Sequence, residues 1–213
     1  MVQCPSCLQA QKPRLICPDC TSPLAADLDS FAALGIPRKL QIDTAMLESA
    51  YHDLSRKLHP DRYASAAPKV RDASLRAMAL VTRAYRTMRD PAARATYWLE
   101  LHGQRLAENN QQVPPALAAL VFEVHEELAE LDDPANSDQS AARTRVKARR
   151  REVEGLVTES SDALGRAFVE LDAAGAKVPA ELVTRLKATL AEAAYLATLL
   201  RDLNKALDSR TAA

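Results

Sequence analysis

Four cysteines stand near the start of the chain, Cys4, Cys7, Cys17 and Cys20, as two C-x2-C pairs separated by nine residues. Two close-spaced thiolate pairs on facing turns can meet at the corners of a tetrahedron, with each sulfur about 2.3 Å from zinc. The pairs read "CPSC" and "CPDC", and the proline in each suits a tight turn. A segment this short cannot bury a core of its own, so metal binding would supply its folding energy. The alternatives are loose reactive thiols, or one iron held by the same four sulfurs. The pairs lack the glycines that often follow iron-binding pairs of the rubredoxin type, which favours zinc, one per chain. Four filled positions leave none for a catalytic water, so the site is expected to be structural.

A second constellation is "RKLHPDRY", which holds Arg56, Lys57, His59, Pro60, Asp61 and Arg62. Rigid and polar residues contribute little to a core, so this corner is either a helix stop or a surface built for another protein. Elsewhere His52, His102 and His125 are scattered. The sequence shows no catalytic dyad or triad, no glycine-rich phosphate loop and no paired-carboxylate site, and no enzymatic activity is expected. The basic run "RTRVKARRRE" (143–152) reads as a solvated face paired with nearby acids.

The elements that must carry these groups are helical. Alanine and leucine dominate, only five glycines occur, and aromatics make up 4% of the 213 residues. The hydrophobic content of 47% allows a real core. Lys+Arg and Asp+Glu balance at 28 each, which argues against a dedicated nucleic-acid or membrane-surface protein. No run approaches the roughly 18 apolar residues of a membrane span. The N-terminus has neither the apolar core of a signal peptide nor the Arg-rich character of a transit peptide. A cytoplasmic, reducing location is therefore expected, where disulfides explain the cysteines poorly.

Along the chain, "LDSFAALGIP" (28–37) predicts a short helix ended by Gly35. Residues 43–58 place Leu47, Tyr51, Leu54 and Leu58 on one helix face, with Asp43 or Thr44 as cap and no full capping box. His52 and Arg56 fall opposite that stripe, Lys57 lies at its flank, and Pro60 stops the helix. Residues 69–89 predict an antiparallel partner that packs through Leu75, Met78, Thr82, Tyr85 and Met88. Asp90-Pro91 opens a helix that carries Tyr97, Trp98 and Leu101 and stops at Gly103. The polar stretch 104–115 is the best linker. Beyond it, three amphipathic helices over 115–131, 139–173 and 180–207 can close a bundle. No strand is expected outside the cysteine segment.

The tripeptide His59-Pro60-Asp61, after a helix with a basic outer side and before an antiparallel helix, resembles the J domain of co-chaperones for DnaK-type ATPases. "DLDSFAALGIP", the two helices, "DPAARATYWLELHG" and the C-terminal bundle together resemble the iron–sulfur co-chaperone family HscB, over about residues 27 to 207. The cysteine pairs are similar to those on longer eukaryotic members. The resemblance implies an all-α fold: a J-domain hairpin (27–103) and a C-terminal three-helix client-binding domain (112–213), preceded by a small zinc-ribbon-like module (1–24). It implies that the protein brings an iron–sulfur scaffold protein of the IscU type to a DnaK-type chaperone and accelerates ATP hydrolysis by that chaperone. His59, Pro60 and Asp61 would dock on the chaperone, with Arg56, Lys57 and Arg62 steering the encounter. Asp61 offers a carboxylate to an arginine of the partner.

The family's scaffold-facing helix opens with bulky residues, where this chain reads "LAALVFEVHEELAEL". The match resumes at Phe122, Glu123, Glu126 and Glu130, and Tyr195 fits an aromatic position of the last helix. Ala118 and Ala119 stand where larger apolar residues are usual, which leaves a weaker contact or a different partner surface. On spacing alone, Phe122, Glu126 and Glu130 form an i, i+4, i+8 row off the apolar stripe, with Glu123 beside it. The competing readings are a J-domain adaptor for another client and a zinc-ribbon nucleic-acid-binding helical protein.

Overall fold

The computed structural model describes residues 1–106, 113–133, 135, 137–175 and 177–209. Residues 107–112 of the expected linker lie outside these. Two short antiparallel strands, β1 (Val2–Gln3) and β2 (Ala10–Gln11), pair Val2 with Gln11 and Gln3 with Ala10. Among the described residues seven α-helices follow: α1 (Ser30–Leu34), α2 (Thr44–Leu58), α3 (Pro68–Arg89), α4 (Pro91–Leu101), α5 (Ala118–Asp132), α6 (Gln139–Ala174) and α7 (Ala180–Asp208). Contacts divide the chain into two compact units, Met1–Tyr97 and Trp98–Ala213. Among the described residues no helix is long and apolar enough to cross a membrane.

The helix ends follow local chemistry. The Asp43 carboxylate accepts from the backbone N–H groups of Ala45 and Met46, at 2.9 and 3.3 Å. One carboxylate thus satisfies two of the orphan donors, and α2 needs no capping box. Asp90 caps α4 through the Ala93 N–H at 2.9 Å, and Pro91 sits where its missing N–H costs nothing. Gly35 and Gly103 take left-handed φ values of +68° and +66° just past α1 and α4, a conformation that carries no Cβ penalty for glycine.

The first core joins α1, α2 and α3. Leu47 and Leu58 of α2 are fully buried, Tyr51 and Leu54 pack beside them, and Tyr51 stacks on Tyr85 of α3 with ring centroids 4.2 Å apart. The inner face of α3 differs from the one expected. Leu75 is 56% exposed, and the buried row runs Ser74, Ala77, Val81, Ala84, Met88. Four of the five positions stand one residue earlier than expected, which turns the face by about 100°, while Met88 belongs to both rows and is buried as expected. Three of its five members are small, so the α3 backbone can lie close to its neighbours. Met78 and Tyr85 flank the row and pack only in part.

The cysteine segment is not packed apart from these helices. Leu15 is 5% exposed and belongs to the same core as Phe31, Leu34 and Ile36, with Ile16 packed against it. The Leu24 N–H donates to the Leu15 carbonyl at 2.9 Å and Ile16 bridges to Pro23, so residues 15–24 form a clasp that places Leu15 and Ile16 in this core while Cys17 and Leu24 cluster with Cys4. The expected division at residue 24 therefore falls inside one compact unit.

In the second unit α5, α6 and α7 bury Val121, Val124, Leu131, Val146, Val153, Leu196, Leu199 and Leu203 in one cluster. The apolar stripes of all three helices face inward, with Leu120, Leu128 and Val157 half-buried at the margin. Asp138 caps α6 through the Ala141 N–H at 3.0 Å, and Arg143 donates to the Leu207 carbonyl at 2.8 Å near the end of α7.

Candidate metal knuckles and docking surfaces

The two cysteine pairs sit on matching turns. Cys4 N–H donates to the Gln9 carbonyl and Leu8 N–H to the Cys4 carbonyl, at 2.9 and 3.0 Å; Cys17 with Ser22 and Thr21 with Cys17 repeat both bonds at the same lengths. All four thiols are unpaired by disulfides, and the four sulfurs lie within 4.8 Å of one another. The Cys4–Cys20 and Cys7–Cys17 sulfur separations are 3.5 and 3.7 Å. A tetrahedron of sulfurs about 2.3 Å from a central zinc has edges of about 3.8 Å, so the residues fit such an ion. A backbone hydrogen bond at Gln9 favours the Cys7 thiolate, but burial and the three neighbouring sulfurs outweigh it and push Cys7 up to about 12. Hydrogen bonds at Ser22 draw Cys20 down to about 6. Four sulfurs this close spread negative charge poorly without a cation, and a divalent metal supplies it.

The turn geometry also shows what glycines at these turns would have supplied. The residue after each second cysteine must be left-handed, and here it is Leu8 at φ +61° and Thr21 at φ +58°. Each costs roughly 1–2 kcal/mol relative to a right-handed residue. The sequence shows the absence of glycine, but only the backbone shows that the chain adopts the glycine conformation regardless.

The corner at residues 59–63 is held from both sides. Pro60–Tyr63 form one 3-10 turn, closed by the Arg62 N–H on the His59 carbonyl at 3.0 Å. The buried Ser74 hydroxyl donates to the Leu58 carbonyl at 2.7 Å, and the Tyr63 hydroxyl donates to the Lys57 carbonyl at 2.8 Å. Both satisfy carbonyls left open at the end of α2. His59 Nδ1 accepts from the Asp61 N–H at 3.3 Å, so the neutral ring carries its proton on Nε2. The His59 and Asp61 side chains are 55% and 89% exposed, and Lys57 and Arg62 are exposed as well. Arg56 is paired with Asp53 one turn back, so part of the expected positive charge is balanced on the helix itself. Ser74 and Tyr63 were not foreseen; a hydroxyl facing a helix C-terminus has no periodic signature.

On α5, Phe122 is 63% exposed and Glu123, Glu126 and Glu130 are exposed beside it. Ala118 and Ala119 are exposed too. Tyr195 of α7 is half-buried against the bundle core. The basic run on α6 meets these acids. Arg149, 16% exposed, donates at 2.8 Å to Glu123, Glu127 and Glu152, with further bonds of 3.3 Å to Glu127. Its hydrogen bonds to Glu127 outweigh burial and hold its protonated form even more firmly than usual. Arg145 pairs with Glu130, and Arg150 with Glu154 at 3.4 Å. Pairing with nearby acids was expected of this run; which acids, and that they include two of the four candidate residues on α5, was not.

The DnaJ domain family matches residues 29–97. The chain is 33% identical over 135 residues to the iron-sulfur cluster co-chaperone protein HscB homolog of Arabidopsis thaliana, covering 62% of this chain and 54% of that one. It is 40% identical over 103 residues to the co-chaperone protein HscB homolog of Cupriavidus taiwanensis, covering 48% of this chain and 58% of that one. These alignments span little more than half the length of the curated relatives. The fold is similar to that of chaperone HscB from Vibrio cholerae, with a TM-score of 0.62 at 22% identity, over 85% of this chain and 99% of that one. Residues 29–97 of the chain therefore match the DnaJ domain, four clustered cysteines stand ahead of them, and part of the chain is similar to HscB co-chaperone homologs.

Proposed function

We propose that this protein is a co-chaperone of iron–sulfur cluster assembly, which stimulates the ATPase of a DnaK-type chaperone and delivers to it a scaffold protein of the IscU type. The observation that carries the reading is the exposed His59-Pro60-Asp61 turn at the end of a helix whose last turn is basic, inside a segment that matches the DnaJ domain. The turn is preorganised by Ser74 and Tyr63, so docking orders little additional chain. Asp61 presents a carboxylate to a cation of the chaperone. Lys57 and Arg62 attract an acidic surface, an effect screened over a Debye length of about 8 Å at physiological salt. Arg56 contributes less while it stays paired with Asp53.

The client contact is assigned to the second unit, at Phe122, Glu123, Glu126 and Glu130, with Tyr195 at its edge. Residues 1–24 are assigned to holding one structural zinc through Cys4, Cys7, Cys17 and Cys20, residues 27–103 to the chaperone and residues 112–213 to the client. Four free thiols suit a reducing, cytoplasmic setting. An adaptor for a different client is the second reading, favoured by the small Ala118 and Ala119 next to Phe122. Nucleic-acid binding is disfavoured, since Arg145, Arg149 and Arg150 are paired with glutamates.

The test is ATP turnover by a DnaK-type chaperone with and without this protein. Wild type accelerates it, while His59→Gln and Asp61→Asn, both at exposed side chains, keep the fold and lose the acceleration. Equal stimulation by wild type and His59→Gln would overturn the reading.

A further inference from the structure

The acidic row on α5 already has partners inside the molecule, and they differ in strength. Glu123 shares Arg149 with Glu127 and Glu152, and both Arg149 and Glu127 are more than four-fifths shielded from solvent. That group pins α5 to α6 through Arg149 and Glu127, and Glu123, 52% exposed, joins it from the rim. Glu130 meets Arg145, and both side chains are about half exposed, at 55% and 50%. Such a pair exchanges easily with solvent or with another cation. No ion pair involving Glu126 is present among the described residues.

We propose that Arg145 is a specificity-determining residue of the client face: it occupies Glu130 until a basic group of the client displaces it. Resting on the reading of α5 as that face, this divides the row into three parts. Phe122 is the apolar anchor, Glu126 is the acid open to a cation, and Glu130 is an acid reached only by competition. Glu123, shared with Arg149, adds less to the client contact than Glu126 does. A client with a single basic group beside its apolar contact would use Glu126 alone. A second basic group gains only the difference between its own pairing with Glu130 and that of Arg145, so weakly basic partners are rejected.

The test uses the full chain and two probes, a short peptide of alternating lysine and leucine and an IscU-type scaffold protein. Arg145→Gln should bind the peptide about two- to fivefold tighter, the range of one exposed ion pair. Adding Glu130→Gln to Arg145→Gln should abolish the gain. Lys147→Gln, an equal loss of charge at an exposed position of the same helix, should give a smaller gain. Helical circular dichroism checks that each variant is folded. Equal peptide affinity for wild type and Arg145→Gln would overturn the proposal, and so would an equal gain for Lys147→Gln. The scaffold arm separates this from the underlying reading. If Phe122→Ala leaves scaffold affinity unchanged, the client face is misassigned, whereas a loss with Phe122→Ala and no change with Arg145→Gln sinks only the competitor role.

Discussion

Leu15→Ala should loosen the DnaJ domain, although residue 15 lies in the cysteine segment. The side chain is 5% exposed and shares a core with Phe31, Leu34, Ile36 and the buried residues of α2 and α3. Truncation removes three carbons, or about 2.4 kcal/mol at ~0.8 kcal/mol per methylene. Large-to-small core changes span about 2–5 kcal/mol, the upper values requiring a closed cavity. Here an open groove lined by Leu15, Leu28, Leu34 and Leu54 adjoins the site, so water and neighbours can fill part of the space. The expected loss is about 2–3 kcal/mol. For a unit of this size that corresponds to a Tm lower by roughly 10–20 °C. Thermal unfolding followed by circular dichroism reads the loss, and amide hydrogen exchange locates it. Amides of α2 and α3 should exchange faster in Leu15→Ala, while Leu8→Ala, at a 66% exposed position, leaves them unchanged. Faster exchange confined to residues 1–24 would refute the reasoning, because the cysteine segment would then fold apart from the helices.

Cys17→Ser should lose one bound zinc per chain by elemental analysis. It should also raise exchange in α1, since Cys17 lies two residues beyond Leu15; purified wild type with intact thiols and no metal would contradict the assignment. Leu8→Gly and Thr21→Gly should each stabilise the knuckles by up to about 1 kcal/mol, measured as a higher chelator concentration for half-release of metal, because glycine takes left-handed φ without a Cβ penalty. Phe122→Ala should weaken scaffold binding by about 1–3 kcal/mol in a calorimetric titration and leave client-free ATPase stimulation intact. Equal affinity would place the client elsewhere.

What could be read before any coordinates were the features set by a few neighbouring residues. Asp43, Asp90, Gly35 and Gly103 mark helix ends because capping and left-handed φ are decided within one turn. The four cysteines announce a candidate metal site because ligand type and spacing nearly suffice. The His59-Pro60-Asp61 corner was legible for the same reason, as proline stops α2 locally. Periodicity named the helices, yet on α3 it allowed two adjacent stripes, and the larger residues of the outer one were the wrong guide. Contact with the neighbouring helices selected Ser74, Ala77 and Ala84, because close approach of two backbones favours small side chains over apolar bulk. Leu15 looked like part of a separate module because nothing in residues 1–24 reveals which surface covers it. The Arg145–Glu130 and Arg149–Glu127 pairs join positions 15 and 22 residues apart. Charge counts showed that partners existed, but an ion pair forms only where two helices bring its ends within about 4 Å, and that distance is a property of the packed bundle.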